Sequence, residues 1–183
     1  MTEQTVHVLI VSTSLNPDSR SFVLAEYAAT VLRERNVSCE AIDLRKVGEI
    51  PMAGSPTGWN SPVVRELRQA MQKATHLIFA VPVYNFSAGA VAKNVIELMG
   101  SAELEGKTVG FLCAAGGGRG YMSILPLANA MMLDFRCWIV PRFVYATRAD
   151  VEHGAIKSDE IRTRIEQMLT ELFERVPVSK TSD

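Results

Sequence analysis

The chain has 183 residues, 48% of them hydrophobic, which suits one domain over residues 1–183 with a sizeable core rather than two small ones. Nineteen Lys and Arg against 20 Asp and Glu leave a formal charge of −1, so no global field recruits nucleic acid or an anionic membrane. Partners must be selected locally.

In chain order, the first apolar run is VHVLIVS (6–12), far too short to span a bilayer and preceded by no basic leader, so a soluble cytoplasmic protein is expected. The stretch STSLNPDSRS (12–21) follows, with five serines and threonines and no glycine. A helical stripe comes next, Leu24, Ala28, Val31 and Leu32, and then a second strand, VSCEAIDL (37–44). EIPMAGSPTGWNSP (49–62) is the one long irregular segment, a lid or a connector. Val64, Leu67 and Met71 mark the next helix, HLIFAVPV (76–83) a third strand, and Val91, Val95, Leu98 and Met99 another helix. KTVGFLCAA (107–115) reads as strand four. Ile124, Leu127, Ala128, Met131 and Phe135 mark a helix that Pro126 interrupts near its start. CWIVPRFVYA (137–146) reads as strand five, and Ile161, Ile165, Met168, Leu169, Leu172 and Phe173 as the final helix, with a polar tail expected to fray from Pro177.

Strands that are apolar on successive residues are covered on both faces, so the alternation predicts a doubly wound α/β fold: a five-stranded parallel sheet under two helical layers. Ligands then bind beyond the carboxyl ends of the strands, where strand order reverses. Cys39, Cys113 and Cys137 fall in apolar runs and read as reduced core residues. The three histidines have no metal-ligand spacing, and no metal site is predicted.

Three post-strand loops carry the chemistry. A helix N-terminus favours anions, and Ser14, Ser19 and Ser21 add hydroxyl donors there while Arg20 adds charge. One serine acting as an N-cap accounts for one hydroxyl, and the surplus points to phosphate. Neither GxxxxGK[ST] nor GxGxxG follows the first strand. In the second loop, PVYNFSAGA (82–90), Tyr84 and Phe86 offer ring faces and Asn85 and Ser87 offer polar groups, which suits a flat heteroaromatic ligand. Two core aromatics at a strand end remain the alternative. Lys93 and Asn94 read as surface residues. In the third loop, AAGGGRGY (114–121), Gly116, Gly117 and Gly118 admit a close backbone approach and leave amides free, or form a flexible connector.

TSLNPDS (13–19), PVYNFSAGAVAKN (82–94) and AGGGRG (115–120) together resemble the NADPH-dependent FMN reductase family, a flavodoxin-like group of flavin, quinone, azo-dye and chromate reductases. The resemblance spans nearly the whole chain and implies strand order 2-1-3-4-5, FMN as cofactor and NADPH or NADH as electron donor. It also implies a small acceptor such as a flavin, quinone, azo compound or oxidised metal ion, and a homodimer or homotetramer built on the helices after Ala88 and Tyr121. Carried over, Ser14, Asn16, Ser19, Arg20 and Ser21 lie at the phosphate, Asn16 standing where the family commonly has Arg. Pro82, Val83, Tyr84, Asn85, Phe86 and Ser87 lie along the isoalloxazine, with Gly116, Gly117 and Gly118 at its other edge. Hydride passes directly between ring systems in such enzymes, so no catalytic acid or base is named. Arg119 and Arg142 are candidates for reading a 2′-phosphate.

A flavodoxin-type electron carrier is the alternative, disfavoured by the near-neutral charge. A receiver would need an aspartate where Pro82 and Val83 stand, and a hydrolase would need GxSxG, which is missing.

Overall fold

The computed structural model describes residues 6–174. The start of the chain and the tail from Pro177 lie outside the described residues. Nine strands and six α-helices follow one another: β1 (His7–Ser12), α1 (Arg20–Glu34), β2 (Ser38–Asp43), α2 (Pro62–Lys73), β3 (His76–Tyr84), β4 (Ser87–Ala88), α3 (Ala90–Glu97), α4 (Ser101–Leu104), β5 (Thr108–Ala114), α5 (Leu125–Phe135), β6 (Trp138–Ile139), β7 (Val144–Ala146), β8 (Val151–Glu152), β9 (Ala155–Ile156) and α6 (Asp159–Leu172). A 3₁₀ helix, Gly118–Ile124, leads into α5.

The main sheet runs β2-β1-β3-β5-β6 with all of these neighbours parallel. Counting β6 and β7 as one interrupted strand, this is the expected 2-1-3-4-5 order of a flavodoxin-like fold. Period-two alternation divides the buried side chains between two layers. Val8 and Ile10 of β1 face α1 and α6, while Leu9 and Val11 face the layer containing α2, α3 and α5. Phe79 and Phe111 stack at 6.1 Å between ring centroids within that second layer, and Phe143 meets Phe111 edge-on. On the other face Gly110 lets α6 lie close to β5, since a Cβ there would come within 2.5 Å of the Met168 sulfur.

Strand five departs from the expected unbroken run. Val109 of β5 pairs with Ile139 and Leu112 with Val144, so the outer strand carries two extra residues over the same span. Val140 still donates to the Val109 carbonyl, but Pro141 has no N–H and ends the ladder there. Pro126 causes no such break. It occupies the first turn of α5, where a missing N–H costs nothing. Two features escaped the sequence reading altogether, the short antiparallel β4 and the β8–β9 hairpin, because each has only two residues per strand.

Cys113 and Cys137 are buried as expected, and burial pushes both thiols up to about 12, far from the thiolate form at neutral pH. Cys39 is only partly buried, because β2 is an edge strand.

Candidate functional site

The loop after β1 is tied at its start by Thr13, whose amide and hydroxyl both donate to the Ala80 carbonyl at 2.9 and 3.0 Å. Two local side-chain turns follow. Ser14 Oγ accepts from the Asn16 amide at 3.3 Å, and Asn16 Oδ1 accepts from the Asp18 amide at 2.9 Å. Ser19 has extended backbone and caps α1 by accepting from the Phe22 amide at 3.1 Å. So one serine is indeed the cap. Ser14 and Ser21 are the surplus, both buried, and the Ser19 and Ser21 hydroxyls lie 3.1 Å apart beside the open N-terminus of α1. Arg20 is half-buried, without an ion-pair partner among the described residues, and lines a depression of about 680 Å³ with Arg45, Arg148, Glu152 and His153.

Beyond β3 the chain folds back on itself. Tyr84 and Ser87 pair across a two-residue turn in which Asn85 and Phe86 have φ of 49° and 59°. This is the twist of a type I′ hairpin. Asparagine tolerates it, but a phenylalanine in the left-handed region is strained. Tyr84 and Phe86 are 54% and 69% exposed, so the reading of them as core aromatics does not hold. Replacing Phe86 with glycine is expected to raise the melting temperature, by about 1 kcal/mol of relieved backbone strain less glycine's own entropy cost. Thermal unfolding followed by circular dichroism checks this.

Pro82 lies within β3, which extends one residue, Tyr84, past the predicted end at Val83. Pro82 pairs with Ala114, and its carbonyl accepts from the Gly89 amide at 2.8 Å. Gly89 suits this close approach, since a Cβ there would sit 3.2 Å from that same carbonyl, tighter than most such contacts. Asn94 is a correction: it is buried, and its amide accepts from Ala53 N at 2.8 Å and donates to Pro51 O at 3.0 Å, clasping the irregular 49–62 segment onto α3. Lys93 is exposed and ion-paired with Glu97, one helical turn on.

In the third loop, Gly116, Gly117 and Gly118 have open space where a side chain would be. The loop is held from below by Tyr145, whose hydroxyl donates to the Gly117 carbonyl at 2.7 Å and accepts from the Gly120 amide at 3.2 Å. Second and third loops meet. Val83, Asn85, Phe86, Gly116, Gly117, Gly118 and Tyr145 line one cleft of about 420 Å³, with Arg119 at its edge. Arg142 is elsewhere, hydrogen-bonded to Glu171 and Gln167 of α6.

Arg45 and Tyr145 were missed in the sequence. Arg45 belongs to a charged run after β2, and Tyr145 to an apolar strand, and the groups that each one holds lie 28 residues away along the chain. Among the described residues no cluster of three or more His, Cys, Asp or Glu is placed to hold a metal ion. No described helix is long and apolar enough to cross a membrane.

The family described as NADPH-dependent FMN reductase matches residues 6–151, most of the chain and all three loops. The chain is 25% identical over 141 residues to an NADPH azoreductase of Bacillus sp. (strain OY1-2), with 76% of each protein covered. Its fold is shared with an oxidoreductase from Corynebacterium diphtheriae (TM-score 0.74, 18% identity, 97% of this chain and 100% of that one). It is shared also with an NADH:FMN oxidoreductase in its apo form (TM-score 0.75, 17% identity, 98% and 92% covered). Together with the three post-strand loops, the family match establishes that this chain belongs to the NADPH-dependent FMN reductases, and is an NAD(P)H-dependent oxidoreductase with FMN as its cofactor.

Proposed function

We propose that residues 1–183 act as one reductase domain that passes reducing equivalents from NAD(P)H, through FMN, to a small acceptor such as a flavin, quinone, azo compound or oxidised metal ion. The observation that carries this reading is the cleft where the second and third loops meet, at the end of a strand paired with the one that leads into a helix N-terminus furnished with buried hydroxyls. The residues present fit FMN. Ser14, Ser19 and Ser21 and the first-turn amides of α1 that Ser19 does not cap suit a phosphate, with Arg20 close by and Asn16 shaping the turn. Exposed Tyr84 and Phe86, polar Asn85 and Ser87, and the backbone at Pro82 and Val83 suit a flat ring with polar edges. Gly116, Gly117 and Gly118 leave room for its other edge.

Bound FMN supplies the two-electron redox chemistry. The protein's part is to hold the ring in one orientation, exclude water from one face and leave space for donor and acceptor in turn. No side chain in the cleft is required as nucleophile, and the buried thiols are unsuited to that role. Met122, Met132 and Leu133 are exposed on and beside α5, which supports association of two or four copies. Three well-separated cysteines, none in a disulfide, support a cytoplasmic location.

The test is anaerobic absorbance. Full-length protein is mixed with FMN, freed of excess by gel filtration, and given NADPH and NADH separately. Co-elution of flavin and bleaching by either donor is expected, the faster one giving the preference. Retained flavin that neither donor bleaches would favour an electron carrier instead.

A further inference from the structure

We infer that Arg45, anchored by Asp43, is a positioning residue for the cofactor's phosphate, acting from behind the loop rather than touching the ligand. The inference rests on the reading above that the 14–21 loop holds the phosphate.

All three guanidinium nitrogens of Arg45 donate to the protein. Its Nε and Nη2 grip both oxygens of Asp43 at 2.8 to 3.1 Å, and its Nη1 donates to the carbonyls of Pro17 at 2.6 Å and Asn16 at 3.5 Å. The guanidinium carbon also sits 4.2 Å from the centroid of Phe22, in the first turn of α1. One planar group therefore braces the middle of the loop and the start of the helix it enters. The anchor is rigid, because Asp43 ends β2 in register with Ser12 of β1. Both side chains are largely buried, at 19% and 9% exposure, so the pair is not a mobile surface contact.

The loop needs such a brace. Among the described residues no hydrogen bond joins residues 14–18 to a neighbouring strand, and apart from the Arg45 contacts the segment has its own two side-chain turns. Holding the Asn16 and Pro17 carbonyls fixes the middle of the loop and thereby sets where Ser14 and Ser19 stand. Asp43 already neutralises the guanidinium, and its donors face oxygen atoms of the protein, so direct charge attraction to phosphate is not its role.

The experiment measures binding of FMN, and of riboflavin, which lacks the phosphate, to flavin-free full-length protein by quenching of flavin fluorescence. Wild type is expected to prefer FMN strongly. Arg45→Ala should raise the FMN Kd by about tenfold and move the riboflavin Kd by less than about twofold, because the loop it shapes serves a phosphate that riboflavin lacks. Arg45→Lys, a point charge without the fork, should resemble Arg45→Ala. Asp43→Asn separates positioning from attraction and serves should Arg45→Ala fail to fold. A freed arginine acting by charge would strengthen FMN binding, whereas loss of the anchor should weaken it severalfold. Equal weakening of both flavins, no change in either, tighter FMN binding by Asp43→Asn or wild-type FMN binding by Arg45→Lys would each overturn the inference while leaving the phosphate reading intact. Wild type that does not prefer FMN would overturn both.

Discussion

Glu103→Ala is expected to cost about 3 kcal/mol of folding stability, lowering the melting temperature by roughly 6–12 °C in a chain of this size. Glu103 is wholly buried in α4, and its carboxylate accepts from Arg68 Nε at 3.1 Å, Gln72 Nε2 at 2.7 Å and the Gly100 amide at 2.8 Å. It thereby joins α4 to α2 and closes the first turn of its own helix. Alanine leaves the partly buried Gly100 amide without its partner and opens a gap between α4 and α2, although Arg68, one-third exposed, and the exposed Gln72 can turn to water. Arg68→Ala should cost a comparable amount, since it strands a buried carboxylate. Urea denaturation at neutral pH measures both.

The same carboxylate sets a pH dependence. Burial works to raise its pKa, but the hydrogen bonds from Arg68, Gly100 and Gln72 together outweigh burial and hold it below the ordinary glutamate value of 4.5. A group depressed in the native state contributes fully above its unfolded pKa, and that contribution drains away as the pH falls through the native one. Asp43 behaves alike, burial being outweighed by the bonds from Arg45. Wild type should therefore lose stability progressively as the pH falls below about 5, and Glu103→Gln should flatten that slope. Identical slopes for the two proteins would remove Glu103 from the account.

Gly120→Ala is the second large effect, expected to weaken flavin binding by about tenfold or more. A Cβ at this position would meet the Tyr145 hydroxyl at 2.8 Å and Ser123 Oγ at 3.1 Å, so the tyrosine must move. When it moves it releases the Gly117 carbonyl as well, and the glycine loop loses the brace that shapes the cleft. Overpacking of this kind typically costs about 1–3 kcal/mol. Tyr145→Phe removes the same two hydrogen bonds without a clash and should weaken flavin by a smaller factor. In the double variant the hydroxyl is absent and the new methyl has room, so the combined loss should be well short of the sum. Additive losses, measured by the same fluorescence titration, would show that Gly120 and Tyr145 act separately.

Strand and helix placement was legible because both periodicities were clean. Stripes such as Ile161, Ile165, Met168, Leu169 and Leu172 are buried where the pattern puts them, and runs such as HLIFAVPV are covered on both faces. The three loops were legible through their composition, since hydroxyls, aromatics and glycines at three strand ends are local facts of sequence. Pro141 was visible too, yet the break it causes depends on pairing with β5, which lies more than twenty residues earlier.

By itself the sequence determined an alternating α/β chain with polar and glycine-rich loops after its strands, because hydrophobic period and turn chemistry act over a few residues. Only the tertiary structure decided which groups support those loops. Whether Tyr84 and Phe86 face the core or the cleft, whether Asn94 is surface or clasp, and which arginine of Arg20, Arg45, Arg119 and Arg142 is free all depend on partners distant along the chain. A hydrogen-bonding side chain shows its chemistry in the sequence, but its partner is chosen by how the sheet and helices pack.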